Sequence, residues 1–294
     1  MKNRILILSV LQLVVLGSLA SSLAAEEAAS SKAPPVISQS SSGLFTTHYA
    51  AGVQCVTVPD VDSNTFGVHV SGLVEGTLPS GIYLEMDGSI FLDYDQDHLD
   101  PHHTPIWTMV HLGLSDPIAE SKTPGAWHFS WVGDIDTTLN TGGIELDFKA
   151  TPGVAAGVKW GILSLGAKLG VGYFMLEIDD DVPRERGYGR DDLRNHAWAI
   201  TPALNATLQF TPHFKLTGWA QEWHDGGTWL ETKYFAALDW DLSRLIPHAD
   251  LLLSVETTQY NLSPYAPTNA QPGYLPILPW DDERLIKLSV DVKW

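Results

Sequence analysis

Residues 66–294 predict an all-β fold, a closed antiparallel transmembrane β-barrel of about twelve strands. Three observations point there. Apolar and polar residues alternate with period two in segment after segment. Several segments run ten residues or more, which exceeds the ~5–6 typical of soluble sheets and suits the ~9–11 tilted residues that cross a bilayer. The connections fall into short and long classes, as they do at the two rims of a membrane barrel.

The chain opens with a separable element. Lys2 and Arg4 precede an apolar run over 5–19, and Ser22-Leu23-Ala24 offers small residues for cleavage. This is the pattern of a secretory signal peptide over 1–24, and its apolar run is shorter than the ~20 residues of a spanning helix. Elsewhere no apolar run is long enough to span as a helix. Removing the leader leaves 15 bases against 35 acids, a formal balance of −20. Such a charge argues against nucleic acid or an anionic lipid surface as the main partner and favours cations. Cys55 is the only cysteine, which excludes an intrachain disulfide, and it reads as a small half-buried residue. Residues 25–65 begin Ala-, Ser- and Pro-rich and read as a flexible lead-in, with one short strand conceivable at 52–58.

From Phe66 the strands follow in order. Phe66–Val74 is irregular, whereas 82–94 alternates cleanly: Ile82, Leu84, Met86, Ile90, Leu92 and Tyr94 share one face, and Tyr83, Glu85, Asp87, Ser89, Phe91 and Asp93 the other. Segments 106–114, 127–136, 144–150, 154–161, 165–178, 198–210, 214–223, 230–242, 249–257 and 284–294 complete the set. Pro202 requires a bulge in its strand, because proline cannot donate to a ladder. Thr151-Pro152-Gly153, Thr211-Pro212-His213 and 243–248 read as short turns, and 179–195 and 261–283 as long loops. Counting back from the C-terminus puts the long loop 95–105 at the short-turn rim, which implies a miscounted strand between 74 and 153. Trp107, Trp127, Trp160, Trp198, Trp223, Trp229, Trp240 and Trp294 lie at strand ends, where interfacial girdles would put them.

A soluble sandwich alternates too, with its apolar face inward. Export and strand length favour the barrel, and closure removes the long edges that open sheets would expose. With the apolar face outward, Glu85, Asp87, Asp93, Asp134, Asp136, Glu145, Asp147, Lys149, Glu231, Lys233, Asp239 and Asp241 line the lumen.

The ending IKLSVDVKW sets Ile286, Leu288, Val290, Val292 and Trp294 on one face and closes on an aromatic. It resembles the C-terminal strand of Gram-negative outer-membrane β-barrel proteins, a porin-like class, although it lacks the glycine often found in that strand. The resemblance covers residues 66–294 at the level of the class, and in size the chain is similar to twelve-stranded channels such as the nucleoside-specific channel. It implies an outer-membrane location, contact with lipid and lipopolysaccharide, and recognition of the last strand by the barrel-assembly machinery.

Local chemistry is sparse, and no cofactor is expected. Asp93, Asp95 and Asp97 are spaced like the opening of a calcium loop, but His98 stands where glycine is required and Thr104 where glutamate is, so a solvated acidic loop is the competing reading. His102 and His103 would suit a softer metal. Barrel hydrolases place a histidine beside a serine; His69 and Ser71 share a face, and His128 and His224 are further candidates, but none sits in the expected motif. Arg184, Arg186, Arg190 and Arg194 form a mixed-charge loop with Asp179–Asp181 and Asp191–Asp192 that suits phosphate groups or internal ion pairs. The expected function is therefore passive passage of small solutes, with a cation preference set by lumen acid, rather than an enzyme activity. A non-conducting structural or surface-binding barrel and a barrel hydrolase are the competing classes.

Overall fold

The computed structural model describes residues 45–59, 63–94, 106–121, 123, 126–141, 144–178, 196–227, 229–260 and 282–294. The leader 1–24, residues 25–44, and the loops 95–105, 179–195 and 261–281 lie outside them, and with these loops the four arginines and Asp95, Asp97, His102 and His103.

Twelve strands follow one another: β1 (Phe45–Val58), β2 (Ser63–Thr77), β3 (Tyr83–Asp93), β4 (Ile106–Glu120), β5 (Trp127–Leu139), β6 (Ile144–Trp160), β7 (Leu163–Ile178), β8 (His196–Thr211), β9 (Phe214–His224), β10 (Trp229–Asp241), β11 (Ala249–Tyr260) and β12 (Asp282–Lys293). Each pairs antiparallel with its sequence neighbours, and β1 pairs with β12 to close the barrel. At this seam Trp294 N–H donates to Thr47 O at 2.9 Å and Thr47 N–H donates to Trp294 O at 3.2 Å. The terminal residue is thus part of the ladder, which explains why the alternation continues to the end of the chain.

Two strand assignments need correction, and they offset each other in the count. β1 begins at Phe45, inside the segment expected as a lead-in. Its centre carries Ala50, Ala51 and Gly52, so neither face shows the apolar contrast that marks the other strands. Conversely, 144–150 and 154–161 are one strand, β6, and Thr151-Pro152-Gly153 is not a turn. Pairing of β6 with β7 lapses over Thr151 and Pro152 and resumes in the same register at Gly153↔Gly170, while β5 stays paired through Gly133↔Pro152. Proline lacks the N–H for one neighbour only. Pro202 behaves alike: the pairing with β9 lapses between Ile200↔His224 and Ala203↔Gln221 without a register shift, so the expected bulge is absent. Gln221 Nε2 donates to Thr201 Oγ1 at 2.7 Å across that gap.

Merging β6 also resolves the rim problem. The connections at 59–62, 94–105, 140–143, 179–195, 225–228 and 261–281 now share one rim, called the loop rim. The other, the turn rim, carries 78–82, 121–126, 161–162, 212–213 and 242–248 together with both described chain ends. The two-residue turn there between β6 and β7 uses Gly161 at φ +57°, a left-handed conformation that costs a side chain.

Outward residues are apolar and exposed, among them Val70, Ile90, Leu169, Val171, Leu204, Leu238, Leu253, Ile286, Leu288 and Val290. Cys55 is outward and half-buried, with its thiol near Val56 O and Thr57. Trp127, Trp160, Trp198, Trp240 and Trp294 point outward at the rims, as a girdle requires. Trp107 and Trp223 do not: both turn into the lumen and are buried, so strand-end position alone misassigns them.

Candidate functional site

The lumen has two halves of different character. Toward the loop rim it is packed. In register on β3 and β4, Phe91 and Trp107 stack with centroids 3.7 Å apart, and Leu285, Val56 and Met109 complete this cluster. Beyond it toward the loop rim, Asp93 is held in place: Gln54 Nε2 donates to its Oδ1 at 3.0 Å and Trp107 Nε1 to its Oδ2 at 3.1 Å. A Cβ on Gly67 would come within 2.7 Å of Gln54 Nε2, so the glycine keeps room for this bridge.

Across the ring, β6, β7, β9 and β10 build a buried ion network. Lys149 Nζ donates to Asp147 Oδ2 at 2.6 Å and to both carboxylate oxygens of Glu231 at 2.7 and 2.8 Å. The ammonium also lies over the rings of Phe174 and Trp223, 5.0 and 5.8 Å from their centroids. Lys233 approaches Asp147 at 3.7 Å and Glu256 at 3.8 Å. Burial strengthens each of these attractions and raises the cost of breaking one.

Among the described residues, two cavities lie in the lumen. The larger, of about 340 Å3, is bounded by Glu85, Asp87, Asp134, Asp136, His111, Lys149, Lys168, Lys233, Trp219, Trp223, Gln221 and Asn205 among others. The smaller, of about 120 Å3, meets His48, His69, Ser71, Lys215, Asp239, Asp250, Ser254, Ser289 and Asp291. Asp87, Ser89, Phe235 and Lys287 border both. Together the two walls carry eight carboxylates and five lysines. Pairing among them is close: Lys168–Asp134 at 2.6 Å, Lys215–Asp239 at 2.7 Å and His111 Nδ1–Asp136 at 2.7 Å. His48 lies between Glu75 and Asp291, at 3.5 and 3.4 Å.

The residues expected in the lumen therefore occupy distinct places. Glu85, Asp87, Asp134, Asp136, Lys149 and Lys233 border the larger cavity and Asp239 the smaller. Asp147 and Glu231 belong to the buried network. Asp93 is tied to Gln54 and Trp107. Asp241 stands at the turn rim with His213 Nδ1 at 2.8 Å. The side chain of Glu145 lies outside the described residues. The calcium-loop reading loses Asp93, whose carboxylate is committed within the wall, and no group of three metal-ligating side chains exists among the described residues. Of the histidines weighed for catalysis, His69 and Ser71 both border the smaller cavity. His128 lies against Gly157, where an added Cβ would collide with its ring, and His224 faces Glu222 at 3.1 Å near the loop rim.

Sequence reasoning passed over His48, His111, Lys168, Lys215 and Trp219 as lumen residues. They sit on strands whose alternation is blurred by glycine or alanine, as in LSLGAKLGVG of β7. The available signal in β9 was the polar side of its own alternation: Lys215, Thr217 and Gln221 share one face, and Trp219 and Trp223 lie on it.

No protein-family model and no curated protein matches the chain. Among solved structures, the chain is similar to the NanC porin at 12% identity and TM-score 0.44, over 82% of this chain and 98% of that one. It is also similar to an anion-selective porin from Comamonas acidovorans at 7% identity and TM-score 0.43, over 85% and 98%. Outer membrane phospholipase A from Escherichia coli aligns at 10% identity and TM-score 0.42, over 84% and 92%. Two are porins and one is an enzyme, and likeness at this level bears on neither the family nor the activity of this chain.

Proposed function

We propose that this protein is an outer-membrane barrel that passes small hydrophilic solutes and prefers cations. The observation that carries the reading is a closed wall, apolar outside, around cavities bordered by eight carboxylates and five lysines. Excess fixed negative charge in a narrow lumen raises the local cation concentration and opposes anions. The outer face meets lipid, the loop rim faces lipopolysaccharide and the medium, and the β12 face of Ile286, Leu288, Val290, Val292 and Trp294 is the assembly signal.

The test is recording in planar bilayers under a potassium chloride gradient. Discrete steps with a reversal potential on the cation side are expected. Absence of steps, or an anion-side potential, overturns the reading. The packed layer of Phe91, Trp107, Leu285, Phe174 and Trp223 favours a second one, a non-conducting barrel that acts through its surface loops. That reading expects no steps from the wild-type chain.

A further inference from the structure

The larger cavity is bordered by charged groups that already have partners and by uncharged groups that do not. Every charged side chain on its border is partnered, as in the Lys168–Asp134 and His111–Asp136 pairs. The uncharged polar groups differ. Asn205 of β8, Trp219 of β9 and Phe235 of β10 stand in register on one rung of the wall. Among the described residues, neither the Asn205 amide nor the Trp219 indole N–H has a hydrogen-bond partner. Gln221 uses only its Nε2, on Thr201, which leaves its carbonyl oxygen open. None of these atoms is sealed off as His69 Nδ1 and His128 Nε2 are. A Cβ on Gly166, the β7 partner of Asn205, would collide with Asn205 Oδ1, so the glycine keeps room for the amide. In the ring of strands β8–β10 stand opposite β2–β4, and from there Ser89 and Ser115 bring hydroxyls to the same cavity.

We propose that the larger cavity binds an uncharged polyhydroxyl ring, a pyranose sugar. Trp219 Nε1 can only donate and Gln221 Oε1 can only accept, whereas the Asn205 amide and the two serines can do both. A hydroxyl also does both, so a ring of hydroxyls can meet each of these groups. The C–H edges of the ring would lie against Trp219 and Phe235, whose own rings stack at 5.5 Å. A charged ligand fares worse. It would have to displace a partner from a pair such as Lys168–Asp134 at 2.6 Å, and the abandoned charge would stay in the narrow lumen. Half-buried amide and indole groups without partners cost free energy that ligand hydroxyls would recover. A rigid ring also loses little conformational entropy on binding.

This inference rests on the reading that the lumen admits small solutes, and it deepens that reading by naming a class. It is tested by calorimetric titration of the full chain in detergent with D-glucose, D-glucosamine and D-glucuronate. High salt screens the long-range pull of the excess carboxylates, so the comparison reads the site itself. Glucosamine carries an ammonium that cannot accept, and glucuronate a carboxylate that cannot donate. Each should therefore bind about two- to tenfold more weakly than glucose, the worth of one uncharged hydrogen bond. Trp219→Phe, which keeps an aromatic ring and removes the N–H, and Asn205→Leu should each weaken glucose by a similar factor. No glucose binding by the wild-type chain, a charged analogue that binds as tightly as glucose, or glucose binding unchanged in both variants overturns the proposal. The first two of these results need no variant to fold. Bilayer recordings without the sugars separate the two failures: cation-selective steps with no glucose binding sink only this inference, whereas glucose binding without steps sinks the passage reading.

Discussion

Replacing Lys149 with methionine would test whether the buried network is held by charge or only filled by volume. The side chains of Lys149, Asp147 and Glu231 are 2%, 6% and 0% exposed, so none can turn to water without opening the wall. Methionine keeps much of the stem and its packing on Phe174 and Trp223 but removes three donor contacts of 2.6–2.8 Å. Two carboxylates would then share a buried site, with Lys233 at 3.7 Å as the nearest remaining cation to Asp147. Breaking a buried ion pair by removing one partner costs roughly 3–5 kcal/mol. Guanidinium unfolding of the chain in phospholipid vesicles should show a loss of that size for Lys149→Met. The triple replacement Lys149→Met, Asp147→Leu, Glu231→Leu should recover most of it, because a well-packed apolar substitute for an ion triad is near neutral. If Lys149→Met unfolds at the wild-type concentration, or if the triple variant is no better than the single one, the network is not held together as argued.

Two further outcomes follow from the wall. Leu288 lies near the middle of β12 on the outward face, so Leu288→Arg should cost roughly 2–4 kcal/mol in the same vesicle assay, and an unchanged midpoint would contradict lipid contact at that height. Deleting Trp294 removes the two seam hydrogen bonds with Thr47, so the heat-modifiable band on gels should accumulate more slowly, whereas Trp294→Phe should assemble normally. Deletion without any delay would show that the seam does not need its last residue.

The wall was legible in the sequence because lipid and lumen sort side chains with the period of the strand itself. Where both faces carry small residues the contrast disappears, as at Ala50-Ala51-Gly52, and for that reason only the 52–58 part of β1 is legible as a short strand. Thr151-Pro152-Gly153 reads as a turn by composition, yet proline in a barrel strand interrupts pairing on one side only, and both Pro152 and Pro202 point outward and are exposed. The lumen was less legible. Facing direction follows from parity, but the partners do not: Lys149 and Glu231 are 82 residues apart and Gln54 and Asp93 are 39 apart. Closure and tilt decide which inward residues meet. Trp107 and Trp223 show the same limit, since strand-end position is shared by girdle and lumen residues and only the parity of the strand separates them.

That distinction bears directly on function. The smaller cavity lies in the turn-rim half of the lumen and the larger one reaches up to Lys149 and Trp223, whereas the loop-rim half holds the Phe91 and Trp107 stack on one side and the Lys149 network on the other. On the proposed reading a solute crossing the barrel would pass these two groups, and the acid-rich cavities would set the preference among ions. The two roles come apart in measurement. Exchanging Asp87 for Asn should move the reversal potential away from the cation side, because its carboxylate borders both cavities. Removing the ammonium of Lys149 should lower stability and, in the fraction that folds, change the size of the conductance step. A variant in the network that altered ion preference without altering stability would reverse this assignment and put the selectivity of the barrel in its packed half.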